Sequence, residues 1–151
     1  MAIVYQAGDA LLYTARSALL GQSWGNHVYI DEAPTTITST ANVWLVLRLL
    51  SDVPAGNRGD RDERSLRLRV NCVSENKDMA WTASAKAYSL LHNSGTQDRT
   101  ATSVGSHSEW YFLTVSAERQ FNLTPNKEYG VQFFEAGYEF NVVMEAKNGY
   151  S

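Results

Sequence analysis

Residues 65–73 read SLRLRVNCV, and this short stretch decides the fold class. Apolar and polar side chains alternate along it without a break. A period of two over this length is typical of a β-strand with one buried face and one exposed face. The predicted inward residues are Leu66, Leu68, Val70 and Cys72, and the predicted outward residues are Arg67, Arg69 and Asn71.

Two helices are predicted to cover the sheet that this strand belongs to. The first spans about Tyr5–Leu20 and ends at Gly21, because glycine is common in the left-handed residue that follows a helix. The second spans about Met79–His92, with Asp78 as its N-cap. Its buried stripe is made of small and apolar residues, which let a helix lie close to a sheet: Ala80, Ala83, Ala87, Leu90 and Leu91.

The remaining strands are predicted at 27–31, 42–50, 109–118, 128–135 and 138–145. The stretch NVWLVLRLL at 42–50 is apolar on both faces, which predicts a central strand covered on both sides. Gly137 separates the last two strands as a turn or a bulge. This order of elements predicts a single α+β domain over residues 1–151. In it, two α-helices cover one mixed, mainly antiparallel β-sheet with long polar loops.

The totals describe an ordinary globular chain. Its 151 residues are 44% hydrophobic and 19% charged, enough for one domain with one core. The net charge of −3 does not favour binding to nucleic acid, because nucleic acid binds preferentially to basic surfaces. No stretch approaches the roughly 18 apolar residues of a membrane span. A single cysteine excludes an internal disulfide and indicates a reducing, cytosolic setting.

One motif raises the possibility of an enzyme. Residues 21–25 read GQSWG, which fits the G-x-S-x-G pattern of a serine-hydrolase nucleophile elbow centred on Ser23. The elbow requires a strand before the serine and a helix after it. Here the predicted helix comes first and the predicted strand second. We therefore interpret the motif as a helix stop followed by a tight turn.

Other signs of catalysis or ligand binding are missing from the sequence. His27, His92 and His107 show no metal-ligand spacing with each other or with Cys72, which the alternating strand places in the core. The carboxylate pair Asp62–Glu63 falls in a predicted loop, whereas catalytic groups need rigid positioning. No phosphate-binding glycine loop or dinucleotide motif occurs. We expect no catalytic site, no metal and no cofactor.

The most unusual feature is residues 51–65, SDVPAGNRGDRDERS, which are predicted to form a long polar loop. Ordering such a loop costs on the order of 1–2 kcal/mol per residue, and few apolar residues offset that cost. Either a neighbouring subunit holds it, or it is a surface hairpin loop packed on its own domain. Under the first hypothesis the interface consists of Asp52, Arg58, Asp60, Arg61, Asp62, Glu63 and Arg64, with the outward Arg67 and Arg69 beside them. An ordinary solvated sheet face would give the same pattern at Arg67 and Arg69.

The whole layout resembles the tail terminator (tail completion) proteins of long-tailed bacteriophages. The resemblance rests on an N-terminal amphipathic helix and on HVYIDEAP, NVWLVLRLLSDVPAGNRGDRDE, RSLRLRVNCVSEN, DMAWTASAKAYSLLHNSG, EWYFLTVSAERQF and GYEFNVVME. It covers nearly the whole chain as a pattern of elements without an invariant motif. The segment between Phe121 and Gly137 is longer than that pattern leads us to expect.

The resemblance implies a non-enzymatic virion protein. Its subunits would form a hexameric ring that caps the tail tube, ends tube elongation and joins the tail to the head connector or stopper protein. The ring would be assembled in the host cytoplasm and would lie at the head-proximal end of the tail, and DNA would pass through it without specific binding. The alternatives are another neck, head-completion or tube-like subunit, a monomeric binding module and, last, a small hydrolase using Ser23.

Overall fold

A computed structural model describes residues 7–33, 42–58, 61–92, 110–128 and 131–146 of the chain. Both helices and the sheet that the sequence predicts are present in these ranges. Their bounds are α1 (Ala7–Leu19), β1 (Val28–Ile30), β2 (Val43–Arg58), β3 (Arg61–Ser74), α2 (Lys77–Leu91), β4 (Trp110–Glu128) and β5 (Val131–Ala146).

The five strands form one open sheet in the order β1-β2-β3-β5-β4. The short β1 runs parallel to β2, and every other neighbouring pair is antiparallel. The predicted fold class is therefore confirmed: an α+β fold with one mixed, mainly antiparallel sheet.

The two helices pack on the same face of the sheet, which we call the helix face. The alternation in residues 65–73 sets this face, because its inward side chains are all buried in the main core. Ala10, Leu11 and Ala15 of α1 and Ala83 and Ala87 of α2 pack into the same core. We call the opposite side of the sheet the open face.

Residues 43–47 of β2 are buried on both faces, as their uninterrupted apolar run predicts. Leu45 and Leu47 join the main core under the helices. Trp44 and Val46 lie on the open face, in a smaller cluster that is completed by Val73, Phe133, Tyr29 and Ala33. Trp44 and Phe133 meet edge to face, with ring centroids 5.5 Å apart.

The prediction of a loop at 51–65 is wrong, because these residues continue β2 and β3 as a long hairpin. Their register runs from Ser51 opposite Arg67 to Arg58 opposite Arg61. Pro54 and Gly56 gave the stretch the composition of a loop. Proline is tolerated where a strand has a free edge, and the parallel pairing with β1 reaches only Leu45–Leu47 of β2.

The prediction of three C-terminal strands is also wrong, because β4 and β5 are two long strands. Gly137 lies inside β5, opposite both Asn71 of β3 and Phe121 of β4, and makes no turn. The β4 strand continues past the predicted end at residue 118, with register shifts at 112/114, 117/119 and 123/126. These shifts accommodate residues, such as Pro125, that made the stretch look irregular.

The helix ends are close to their predicted positions, apart from one cap. The N-cap of α2 is Asn76, whose side-chain oxygen accepts hydrogen bonds from the backbone of Asp78 (2.9 Å) and Met79 (3.3 Å). The predicted cap, Asp78, lies in the first turn instead, where an acidic side chain suits the helix dipole. Gly21 follows α1 with a φ of 84°, as predicted.

Two predictions fall on residues outside the described ranges, namely His107 and the start of the first helix at Tyr5. Across the described ranges, no helix has the length and apolar character that a membrane crossing requires.

Candidate subunit interface

The predicted interface segment is organised as a hairpin arm at one end of the sheet. Asn57 pairs with Asp62 and Arg58 with Arg61 at the far end of the described register. Asp60 lies outside the described residues. The arm is a two-stranded extension beyond Glu63, because β3 pairs with β5 only from Glu63 onward. The arm therefore pairs within its own domain, and contact with another subunit stays a prediction.

An ion pair fixes the base of the arm. The Arg64 Nε donates to Asp52 Oδ1 at 2.7 Å, and both side chains are only about a fifth exposed, 22% and 23%. Arg64 also lies opposite the buried Met144 of β5. These two predicted interface residues therefore hold the hairpin together internally, in addition to any external role.

The predicted outward residues of β3 lie on the open face, but they differ in exposure. Arg67 is exposed and forms an ion pair with Glu118 of β4 at 2.9 Å. The Arg69 guanidinium lies 4.2 Å above the centre of the Phe121 ring. Asn71 is buried, with its side-chain oxygen unpartnered among the described residues. The open face is thus solvated at Arg67 and covered at Asn71.

Two further arginines share this face and were not predicted. Arg48 of β2 lies directly opposite Arg69, and Arg119 of β4 lies opposite Glu139 of β5, which itself faces Arg69. The signal for Arg48 was present, because it is the only charged residue in NVWLVLRLL. Its neighbours in space come from strands far apart in sequence, so the grouping needed the sheet register.

The GQSWG motif lies in the connection between α1 and β1. Gly21 and Gly25 form a tight turn, in which the Gly25 N–H donates to the Gln22 carbonyl at 2.8 Å. Ser23 is exposed in that turn, between a helix and a strand. The motif is therefore a helix stop and a turn, as predicted.

The two described histidines also take part in local contacts. His27 Nδ1 lies 2.8 Å from the Tyr29 hydroxyl, and His92 Nδ1 accepts from the Ala117 N–H at 3.0 Å. Burial raises the pKa of the Cys72 thiol from 9.0 to about 12, which keeps the thiol protonated and unreactive. Within the described ranges, no group of three or more His, Cys, Asp or Glu side chains is placed to hold a metal ion.

A shallow groove of about 240 Å³ lies between α2 and the β4–β5 hairpin. Its walls are formed by Trp81, Ser84, Ala85, Gln120, Ala136 and Tyr138. These residues carry no formal charge at neutral pH, so the groove is suited to an apolar or uncharged polar group.

No protein-family model matches this chain, and no curated protein matches its sequence. The fold does match a solved structure. The chain is similar to one in the virion of a native gene transfer agent (GTA) particle, with a TM-score of 0.61 and 14% sequence identity. The match covers 94% of this chain and 100% of the other. At that identity, the similarity shows a shared fold.

Proposed function

We propose that this protein is a structural virion subunit of the tail terminator type, without enzymatic activity. The observation that carries the proposal is the fold similarity over the full length of a GTA virion chain. That match and the element pattern in the sequence point independently to the same class, a small α+β virion protein. The proposal adds the position in the particle, the head-proximal end of the tail.

In this role the subunits form a ring, expected to be hexameric, that caps the tail tube and ends its elongation. One side of the ring contacts the tail tube protein, and the other contacts the head–tail connector or stopper protein. The hairpin arm supports this proposal, because it extends beyond the part of β3 that pairs with β5 and so offers backbone groups and charged residues to a neighbour. The ring is assembled in the host cytoplasm and stays in the virion.

DNA passes through the ring in this proposal without sequence-specific binding. The overall charge of −3 supports that expectation, because tight binding to phosphates needs an excess of lysine and arginine.

The experiment that tests the proposal is the solution mass by light scattering, alone and with assembled tail tubes. A terminator gives a mass about six times the 16.8 kDa of one chain, or a monomer that becomes a ring only at a tube end. A protein that stays monomeric and does not bind tail tubes contradicts the proposal and favours a monomeric binding module. Loss of a measured esterase activity in Ser23→Ala would instead favour the hydrolase.

The same fold similarity also supports a second candidate, another neck, head-completion or tube-like subunit. Electron microscopy separates these roles. A tube-like subunit polymerises into long tubes, whereas a terminator forms single rings and shortens tubes when added during their growth. A neck or head-completion subunit binds the connector and leaves tube length unchanged.

A further inference from the structure

A row of charged side chains crosses the open face of the sheet from β2 to β4. In register, Arg48 faces Arg69, Arg69 faces Glu139, and Glu139 faces Arg119. We call Arg48, Arg69 and Arg119 the arginine row. Beside it, Arg67 is paired with Glu118 and adds no net charge. The centre of the open face is therefore positive, although the chain as a whole is acidic.

Within the described residues, the only carboxylate in register with the arginine row is Glu139, which lies between Arg69 and Arg119. Arg48 uses its Nε to bond the main-chain carbonyl of Asp31 at 3.1 Å, and no carboxylate in the described residues forms an ion pair with the row. Arg69 stacks on Phe121, which fixes its guanidinium plane, and its buried Nε has no partner in the described residues. Two like charges directly opposite on neighbouring strands are destabilising. An anionic group from outside would remove that repulsion.

The rest of the same chain supplies the complementary charge. Four arginines and two glutamates make up this patch of the open face, namely the arginine row, Glu139, and the Arg67–Glu118 pair. The whole chain has 13 lysines and arginines and 16 aspartates and glutamates. Outside this patch, 9 basic and 14 acidic residues therefore remain. The rest of a second copy therefore has a net charge of 9 − 14 = −5, opposite in sign to the 4 − 2 = +2 of this patch. Contact between two unlike surfaces of identical subunits is head-to-tail, which is the arrangement that closes into rings.

We infer that the arginine row is the surface on which one subunit receives an acidic surface of the next copy. This inference rests on the proposed ring and names the contact that would build it. Carboxylates suit the planar fork of arginine, which can bind them through two parallel hydrogen bonds. Single-stranded nucleic acid suits the face less well, because bases stack on exposed aromatic rings. Here Phe121, Trp44 and Phe133 are only 8%, 5% and 5% exposed.

The test is the variant Arg48→Glu, compared with Lys86→Glu on α2. Both residues are exposed, and both changes alter the net charge equally, but Lys86 lies on the helix-covered side. In Arg48→Glu the new carboxylate faces Arg69 and relieves the repulsion, so the domain keeps its fold by circular dichroism. We expect ring formation to require at least tenfold more protein in Arg48→Glu, with Lys86→Glu matching the wild type. Arg119→Gln, which only removes a charge, should weaken assembly in the same direction.

Each outcome bears on the inference separately from the proposed ring. If the wild type forms no assembly with or without tail tubes, both the ring and this contact are overturned. If the wild type and Arg48→Glu assemble alike, only the arginine row loses its role. If Arg48→Glu assembles normally but no longer shifts a DNA duplex of about 30 base pairs in a gel, the row is a nucleic-acid surface and the inference is wrong. Ring formation by the wild type should also weaken between about 0.05 M and about 1 M salt.

Discussion

Phe121 and Gly137 lie directly opposite each other on β4 and β5, and the Phe121 ring occupies the space that a side chain at residue 137 would need. A β-carbon built on Gly137 would lie 2.8 Å from Phe121 Cζ and would overlap the Val70 carbonyl oxygen. The same ring supports the Arg69 guanidinium from below. Because Gly137 has no side chain, the Phe121 ring can lie over it, and this ring in turn supports the Arg69 guanidinium of β3.

Gly137→Ala is therefore expected to destabilise the domain. The obstructing atom on one side is a backbone oxygen in the centre of the sheet, which cannot move without disturbing the β3–β5 ladder. Overpacking of this kind costs about 1–3 kcal/mol, and urea unfolding would measure it. Ser116→Ala, on the open face of β4, is the control and should change the free energy of unfolding by less than about 0.5 kcal/mol. A stability of Gly137→Ala equal to that of the control would show that the strands separate easily here.

Trp24 explains why the GQSWG turn is ordered. Its side chain is 2% exposed, and its Nε1–H donates to the Leu19 carbonyl at 2.6 Å, which satisfies an acceptor at the end of α1. Trp24→Phe loses this bond and leaves a smaller ring in the core, so we expect a loss of about 2–3 kcal/mol in thermal or urea unfolding.

The matched control is Trp81→Phe. Trp81 is 45% exposed, and the Lys77 ammonium lies 4.5 Å from the centre of its ring. That contact contributes less than about 1 kcal/mol at an exposed site. Equal losses in the two variants would contradict the structural role assigned to Trp24.

The sequence predicted those parts of the fold that local patterns encode. The strand at 65–73 and both helices follow from side-chain periodicity, which each segment carries by itself. The extensions of β2 and β4 could not be predicted in this way. Pro54 and Pro125 have the local preferences of loops, and only pairing with a neighbouring strand makes them part of a sheet.

The candidate interface was predicted in part for the same reason. Arg67 and Arg69 were found because they alternate with apolar residues of one strand. Arg48 and Arg119 join them only through the register of four strands, which no local pattern reveals. The ion pair between Asp52 and Arg64 also depends on the register, because it closes a hairpin that the composition predicted to be a loop.

That ion pair gives a direct test of the hairpin arm. Arg64→Asp places two carboxylates side by side at the base of the arm and should cost about 1 kcal/mol. The exchange Asp52→Arg with Arg64→Asp restores opposite charges and should recover most of that loss in urea unfolding. Arg64 makes a further interaction, so recovery need not be complete. If the double variant is no more stable than Arg64→Asp, the pair does not hold the arm.

Cys72 should behave as a buried, protonated thiol. The side chain has no exposed surface, and burial raises its pKa from 9.0 to about 12. At pH 8 the thiolate fraction in the native protein is then roughly a thousandfold lower than in the unfolded chain. Alkylation by iodoacetamide should accordingly be very slow in native buffer and fast in denaturant. Native and unfolded rates of similar size would place the thiol in contact with solvent.

The same burial predicts a pH dependence with a definite sign. Above about pH 9 the unfolded chain releases the Cys72 proton while the native protein retains it, so the unfolded state gains stability as the pH rises. The contribution of Cys72 to the free energy of unfolding is therefore fully present below pH 9 and declines as the pH rises toward 12. Cys72→Ala removes this ionisation. The difference in unfolding free energy between wild type and Cys72→Ala should thus shrink from pH 8 to pH 10.5, roughly midway through that window. A constant difference would show that the thiol ionises as readily in the native protein as in the unfolded chain.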